Sequence, residues 1–432
     1  MTSVDTLVQF RHDIYIRLGN GRAALFDLMD AVLTTRSISS FVELTLSPVF
    51  RRQWPSLYAA LQDGRPYRPN LMHECAQHIP PSEPIVIAGD HTAWPRLHAR
   101  PLEDRTYEHQ PQVISGGKPI TIGQGYSTIA WVPEAEGSWA LPLLHERISS
   151  LENPLTKAAN QLGQVCADIE GHILFLGDSE YGSAPFLTQT AELSCDKRVR
   201  LRPNRVLYHA PAPYKGFGRP AKHGEKFKLK DPGTWDEAQE NITVEDPKLG
   251  CLRVRRWDTL HFKQASEHPF TLILVERLDE PKSKPLWLIW NGKGTLKLSQ
   301  VWQQYLRRFA IEHWYRFVRQ RLHWTTPQLA TPEKMETWST LMPLLTWQLW
   351  LARNVVVDSS LPWQKPMTKL TPGRIAHSFA PLLATIGSPA PAPKPRGKSP
   401  GWPPGTTRNK RPRYRVVKKG STPKKKATIA AA

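Results

Sequence analysis

The sequence predicts an α/β protein on a mixed sheet, with a helical start, a β-rich stretch late in the sheet and a basic end. Three observations predict it. PIVIAGDHT (84–92) and HILFLGDSEYG (172–182) are each a short apolar run closing on Gly-Asp, the pattern of a strand buried on both faces. Between them, ITIGQGYSTIAWV (120–132) alternates in β-forming residues and GSWALPLL (137–144) follows after a turn, so the two read as a hairpin. NPLTKAANQLGQVCADI (153–169) then has helical spacing. Strand, hairpin, helix and strand in that order make an α/β arrangement rather than separate layers.

The remaining elements follow in chain order. Residues 1–80 read as mainly helical, with ALFDLMDAVL and PSLYAALQDG at helical spacing and Gly64 placed to end the second. A helix around 184–193 and a strand KRVRLRPN (197–204) continue the sheet. From about 205 to 285 the rhythm breaks. GFGRPAKHGEKFK is a flexible basic loop, and LGCLRVRRWDTLHF, FTLILVERL and KPLWLIWN read as strands of a β-rich insertion or sheet extension. An arginine-rich helix starts near Ser299, and another from about 332, with Thr331 as N-cap before Pro332. The expected division is a helical region 1–80, an α/β domain 81–358 carrying the insertion, and a tail 387–432 that is disordered when free.

The formal net charge of +20 is uneven. From residue 359 onward there are bases and no acid, so most of the excess belongs to the C-terminal end. A polyanion is the usual partner for such a distribution, nucleic acid first and an anionic membrane surface second. The cysteines Cys75, Cys166, Cys195 and Cys251 are far apart in sequence, which excludes a C-x-x-C zinc or redox motif and fits a reducing cytosol. The N-terminus does not read as a signal peptide. The longest apolar stretch, LMPLLTWQLWLARNVVV (341–357), is interrupted by Gln348, Arg353 and Asn354 and reads as a buried helix rather than a membrane span.

Three acids carry the chemistry. Asp90 and Asp178 share one context, an apolar strand, a glycine, then the acid. Strand ends are where an α/β sheet shows side chains to a ligand. Two carboxylates on neighbouring strands repel unless a cation neutralises them, and oxygen ligands suit Mg²⁺ or Mn²⁺. The structural alternative is that each caps the turn after it. Glu312 is the one acid in YLRRFAIEHWYRFVRQRL (305–322). At about 100° per residue, Tyr305, Arg308, Glu312 and Arg319 share one stripe, opposite Leu306, Ala310, Ile311, Trp314, Phe317, Val318 and Leu322. An ordinary Arg308–Glu312–Arg316 ladder at i,i+4 spacing explains the same pattern. Glu180, two residues after Asp178, is the rival third ligand.

The spacing Tyr305, Arg308, Glu312, Arg319 resembles the Y-x2-R-x3-E-x6-K signature of bacterial insertion-sequence DDE transposases, with Arg319 in place of the final lysine. The order Asp90, Asp178, Glu312 is similar to their acidic triad, and the long gap before Glu312 to members with a β-rich insertion. The resemblance spans roughly 84–357. It implies an RNase H-like fold in which the three acids bind two Mg²⁺ or Mn²⁺ ions, with Tyr305, Arg308 and Arg319 on backbone phosphates and Arg316 beside them. It implies a DNA transposase that cuts at the ends of its own element and joins 3′-hydroxyls to target DNA, working as a homodimer on DNA in a cytoplasmic, nucleoid-associated setting, with no membrane role. The alternatives are a catalytically inactive DNA-binding descendant, or a metal-dependent nuclease without strand transfer. The N-terminal helical region is the expected place for recognition of element ends, with the β-rich insertion second.

Overall fold

The computed structural model describes residues 3–109, 119–214, 216, 218–395, 401, 403–407 and 411–420. Four helices come first: α1 (Ser3–Arg17), α2 (Arg22–Thr34), α3 (Trp54–Asp63) and α4 (Arg68–Ala76). Then follow β1 (Ile85–Pro95), β2 (Thr106–His109), β3 (Ile120–Trp131), β4 (Leu141–Ile148), α5 (Pro154–Asp168), β5 (Ile173–Gly177), α6 (Ala184–Gln189) and β6 (Cys195–Leu201). The β-rich stretch holds β7 (Val206–Tyr208), β8 (Lys226–Lys228), β9 (Glu240–Asp246), β10 (Gly250–Phe262), β11 (Ala265–Arg277) and β12 (Leu286–Asn291). The chain continues with α7 (Val301–Leu306), α8 (Ala310–Gln320), α9 (Pro332–Ala352), α10 (Pro372–His377) and α11 (Phe379–Ile386).

All the strands join one mixed sheet in the order β2-β3-β1-β5-β6-β12-β11-β10-β7-β8, with β4 also on β3 and β9 also on β10. β3 runs antiparallel to β1 and β4, whereas β5 and β6 run parallel to β1. Every residue of β5 is buried, as parallel strands covered on both faces require. α5 covers this region behind Asn153, whose side chain accepts from the amides of Leu155 and Thr156. The β-rich stretch is continuous with the sheet, because β12 pairs antiparallel with β6 and β11 and β10 follow it.

The expected break near residue 80 is not a break in the core. α1 and α3 pack on α9, and α4 on β4. Arg11 in α1, itself buried, pairs with Asp30 at 2.9 Å and reaches Gln348 of α9 and the carbonyl of Gly387. A buried charge needs this many partners to offset its desolvation. Every residue of α9 from Thr337 to Trp350 is buried, and Trp347 stacks on Trp131 at 5.8 Å. Several tryptophan N–H groups in this core find acceptors: Trp314 donates to Thr346, Trp324 to Ser339 and Trp347 to Pro142 O. Among the described residues no helix is long and apolar enough to cross a membrane.

Two expectations need correction. The tail is not free throughout its described parts. Arg51 and Arg52 hold the carbonyls of Ala390 and Pro391, and 411–420 lies against β2, where Val417 forms a parallel bridge to Thr106. Backbone hydrogen bonds at an unpaired sheet edge offset what the composition lacks in apolar burial. Residues 396–400, 402, 408–410 and 421–432 of the tail lie outside the described residues. The single arginine-rich helix is instead two, α7 and α8, joined by a tight 3-10 turn at Arg307–Phe309. Arg307 donates there to Val132 O (2.7 Å) and Glu134 O (3.1 Å), which pins the turn to the end of β3. Leu306, expected on the apolar side, is consequently 38% exposed.

Candidate active site

β1 and β5 are in parallel register through Gly89 and Gly177, and both aspartates stand one residue beyond that last pair. β5 ends there, while β1 runs on to Pro95 as the partner of β3. Asp90 is therefore inside a strand rather than at its end, but where its parallel neighbour has stopped. The two carboxylates are left side by side at the step. The glycines before them are required by close approach. A Cβ on Gly89 would lie 2.7 Å from the Phe175 ring, and one on Gly177 2.9 Å from Tyr181.

Burial pushes the Asp90 carboxyl up to about 7 despite the nearby Arg308 guanidinium, and the charge of Asp178 adds to the push. Asp90 Oδ1 accepts from the His91 amide at 2.9 Å, and Asp178 Oδ1 from the Glu180 amide at 2.8 Å. Asp178 thus does cap the turn after it, and a capping carboxylate keeps a second oxygen for other use. The His91 ring stacks on Tyr181 at 5.4 Å. His91 Nε2 and the Tyr181 hydroxyl are buried polar atoms with no hydrogen-bond partner among the described residues.

The arginine-rich segment crosses this step. Arg308, buried, places Nη1 3.8 Å from Asp90 Oδ2 and Nη2 2.6 Å from Glu312 Oε1. Burial works against its charge, yet Tyr305, Asp90 and Glu312 together hold it above the ordinary guanidinium range. Tyr305 is buried as well, and burial raises its phenol in a field shared by Arg308 and Asp178. The polar stripe read from the sequence thus turns inward at its start and faces solvent at Glu312, whose side chain is 49% exposed. Arg319 donates to Thr92 Oγ1 and, at 3.1 Å, to Ala93 O, clamping the far end of β1. Arg316 is exposed and without a partner among the described residues.

The three acids are gathered but not closed. Arg308 stands between Asp90 and Glu312, and among the described residues no three of His, Cys, Asp or Glu are grouped tightly enough to hold a metal ion. Glu180 turns elsewhere, to His91 at 3.4 Å and Arg202 at 4.0 Å, and the His91 hydrogen bond lowers its pKa. The chemistry of the donors nevertheless fits a divalent cation. A half-buried carboxylate with a raised pKa, a second carboxylate beside it and a guanidinium drawn in against them describe a site that a cation would suit.

Sequence reasoning missed Tyr315. Fully buried, it donates to Asp90 O at 3.0 Å and engages Thr128 Oγ1 at 2.8 Å, tying α8 to the backbone of the first aspartate. The available signal was its position three residues past Glu312, one turn along the same helix.

No curated protein matches the chain. A family model described as DDE superfamily endonuclease matches residues 16–265, a range that contains Asp90 and Asp178 and stops short of Glu312. With more than half of the 432 residues matched, both aspartates among them, the chain belongs to the DDE superfamily endonucleases.

Proposed function

We propose that the protein is a DNA transposase of RNase H-like fold, with Asp90, Asp178 and Glu312 as its metal-binding acids and Mg²⁺ or Mn²⁺ as the ions. The observation that carries this reading is Arg308, which links the half-buried Asp90 of the family-matched region to Glu312, outside it. The strand arrangement supports it too, with three antiparallel strands (β4, β3, β1) followed by two parallel ones (β5, β6).

Divalent ions held by Asp90, Asp178 and Glu312 would supply Lewis acidity to the scissile phosphate and its leaving oxygen. The chain's own residues do the rest. Asp90 and Asp178 present carboxylates from adjacent strands, held by the His91 and Glu180 amides. Tyr315 fixes the Asp90 backbone from below. Arg308 holds the acid charge in the absence of ligand. Its planar fork suits a DNA phosphate, and moving to one frees Glu312 to join the aspartates. Tyr305 backs Arg308 from the buried side, Arg319 braces the far end of β1, and Arg316 reaches into solvent toward the phosphates. Element ends and target DNA are the substrates, and two ends held together imply a homodimer.

One observation favours the alternative of a non-catalytic DNA-binding protein: the 2.6 Å Arg308–Glu312 pair satisfies Glu312 without any metal. The test is an assay of the purified protein on duplexes carrying the gene's own flanking sequence, with Mn²⁺. We expect cleavage and joined products from the wild type, and neither from Asp90→Ala, Asp178→Ala or Glu312→Ala. Cleavage without joining identifies a nuclease. Cleavage that survives Glu312→Ala overturns the triad.

A further inference from the structure

Residues 411–420, RPRYRVVKKG, form an extended strap on the sheet edge at β2. The Tyr414 amide donates to Arg100 O (2.9 Å), the Val417 amide to Arg105 O (2.8 Å) and the Gly420 amide to Ser150 O (2.9 Å). Arg105 returns a bond to Tyr414 O at 3.1 Å. Lys419 Nζ lies 2.7 Å from Glu108 Oε2, and the Thr106 hydroxyl takes the other oxygen of the same carboxylate. The acid of this edge is thereby neutralised from within.

The strap has two sides. Tyr414, Val416 and Val417 are half-buried, whereas Arg411, Arg413 and Arg415 are exposed and have no partner among the described residues. Arginines elsewhere in the fold, such as Arg11, Arg308 and Arg321, are spent on carboxylates or carbonyls. Alternate residues of an extended chain advance about 6.6 Å and project to one face. Three guanidiniums are thus spaced along a line at a step comparable to that of phosphates along a nucleic-acid strand. Arg100, also exposed, sits beside them.

We infer that the strap is a second DNA-contact surface, outside the carboxylate cluster, in which Arg411, Arg413 and Arg415 grip backbone phosphates flanking the cut. The inference rests on DNA being the substrate. Anchoring matters to it: the tail is held at 390–391 as well as along 411–420, so the row is ordered before DNA arrives and less entropy is lost on binding.

The test is duplex binding by the full-length protein, followed by fluorescence anisotropy across salt concentration. Each phosphate contact contributes about 0.9 to the slope of log affinity against log salt, so Arg411→Gln/Arg413→Gln/Arg415→Gln is expected to lower the slope by about 2.7. Lys282→Gln/Lys284→Gln/Lys297→Gln removes the same charge from exposed lysines elsewhere and is expected to leave most of the slope. Val417→Pro removes the amide bonded to Arg105 and is expected to weaken binding at unchanged charge. A slope unaltered in the arginine variant, or lost equally in the lysine control, overturns the strap while DNA remains the substrate. Full affinity in Val417→Pro overturns the role of docking. Binding to anionic phospholipid vesicles that DNA does not compete away overturns it in favour of a membrane. A wild type that binds no duplex overturns both the strap and the proposed function.

Discussion

Asp90→Asn should stabilise the metal-free protein while abolishing cleavage. The replacement keeps size and removes charge. Asp90 has a pKa of about 7 in the fold against an ordinary 3.8. A raised carboxyl contributes stability below the unfolded pKa and loses it as pH climbs through the folded one. Here the loss runs from about pH 4 to about pH 7. At roughly 1.4 kcal/mol per unit it reaches about 4 kcal/mol at pH 8 and less than half of that at pH 5. Asparagine has no such loss, so its advantage should be large at pH 8 and shrink toward acid. Urea denaturation in chelator at the two pH values measures it. Adding Mn²⁺ should then raise the wild type and leave the variant little changed, since only the wild type offers the carboxylate. An Asn variant no more stable than wild type at pH 8, or a gap that widens toward acid, would refute the reasoning.

Other substitutions separate the site's parts. Glu312→Gln should leave stability within about 1 kcal/mol, because its pair with Arg308 is half-exposed, yet lower cleavage at least about a hundredfold; parallel denaturation and nicking assays check both. Tyr315→Phe should destabilise by about 1–3 kcal/mol, since it removes the buried hydroxyl that donates to Asp90 O and meets Thr128 Oγ1, with Thr128 keeping its bond to His145; an unchanged denaturation midpoint would count against the anchoring role. Arg319→Ala should lose about 2 kcal/mol with its bonds to β1, whereas Arg316→Ala should be neutral within about 0.5 kcal/mol and reduce the salt slope of DNA binding by about 1. The reverse pattern would exchange their roles.

The paired strand-to-Gly-Asp contexts were legible because their cause is local. An apolar run makes the strand, and glycine is what a nearby ring leaves room for. Their adjacency needed the parallel register of β1 and β5, which brings together residues far apart in the chain and leaves no periodic trace. The arginine-rich stripe was legible as a stripe, but not which way it faced. Hydrophobicity would turn Tyr305 and Arg308 outward, and it is the charge of Asp90 that draws Arg308 in. The break between α7 and α8 was hidden for the same reason, since its cause is a distant carbonyl at Val132. The strap escaped because composition measures apolar burial and is blind to a free sheet edge waiting for backbone partners.

The dependence of the N-terminal helices on α9 reaches back into synthesis. Leu7, Phe10 and Ile14 belong to the core, and Arg11 has to find Gln348. At about 5–20 residues per second, roughly 20–70 s separate the emergence of α1 from that of its cover. α2 and α4 reach α1 early, so it is the part of its apolar face that packs on α9 that stays uncovered through most of translation. A product truncated before α9 is left with that face permanently bare, and is expected to be cleared rather than to compete with the intact protein for DNA.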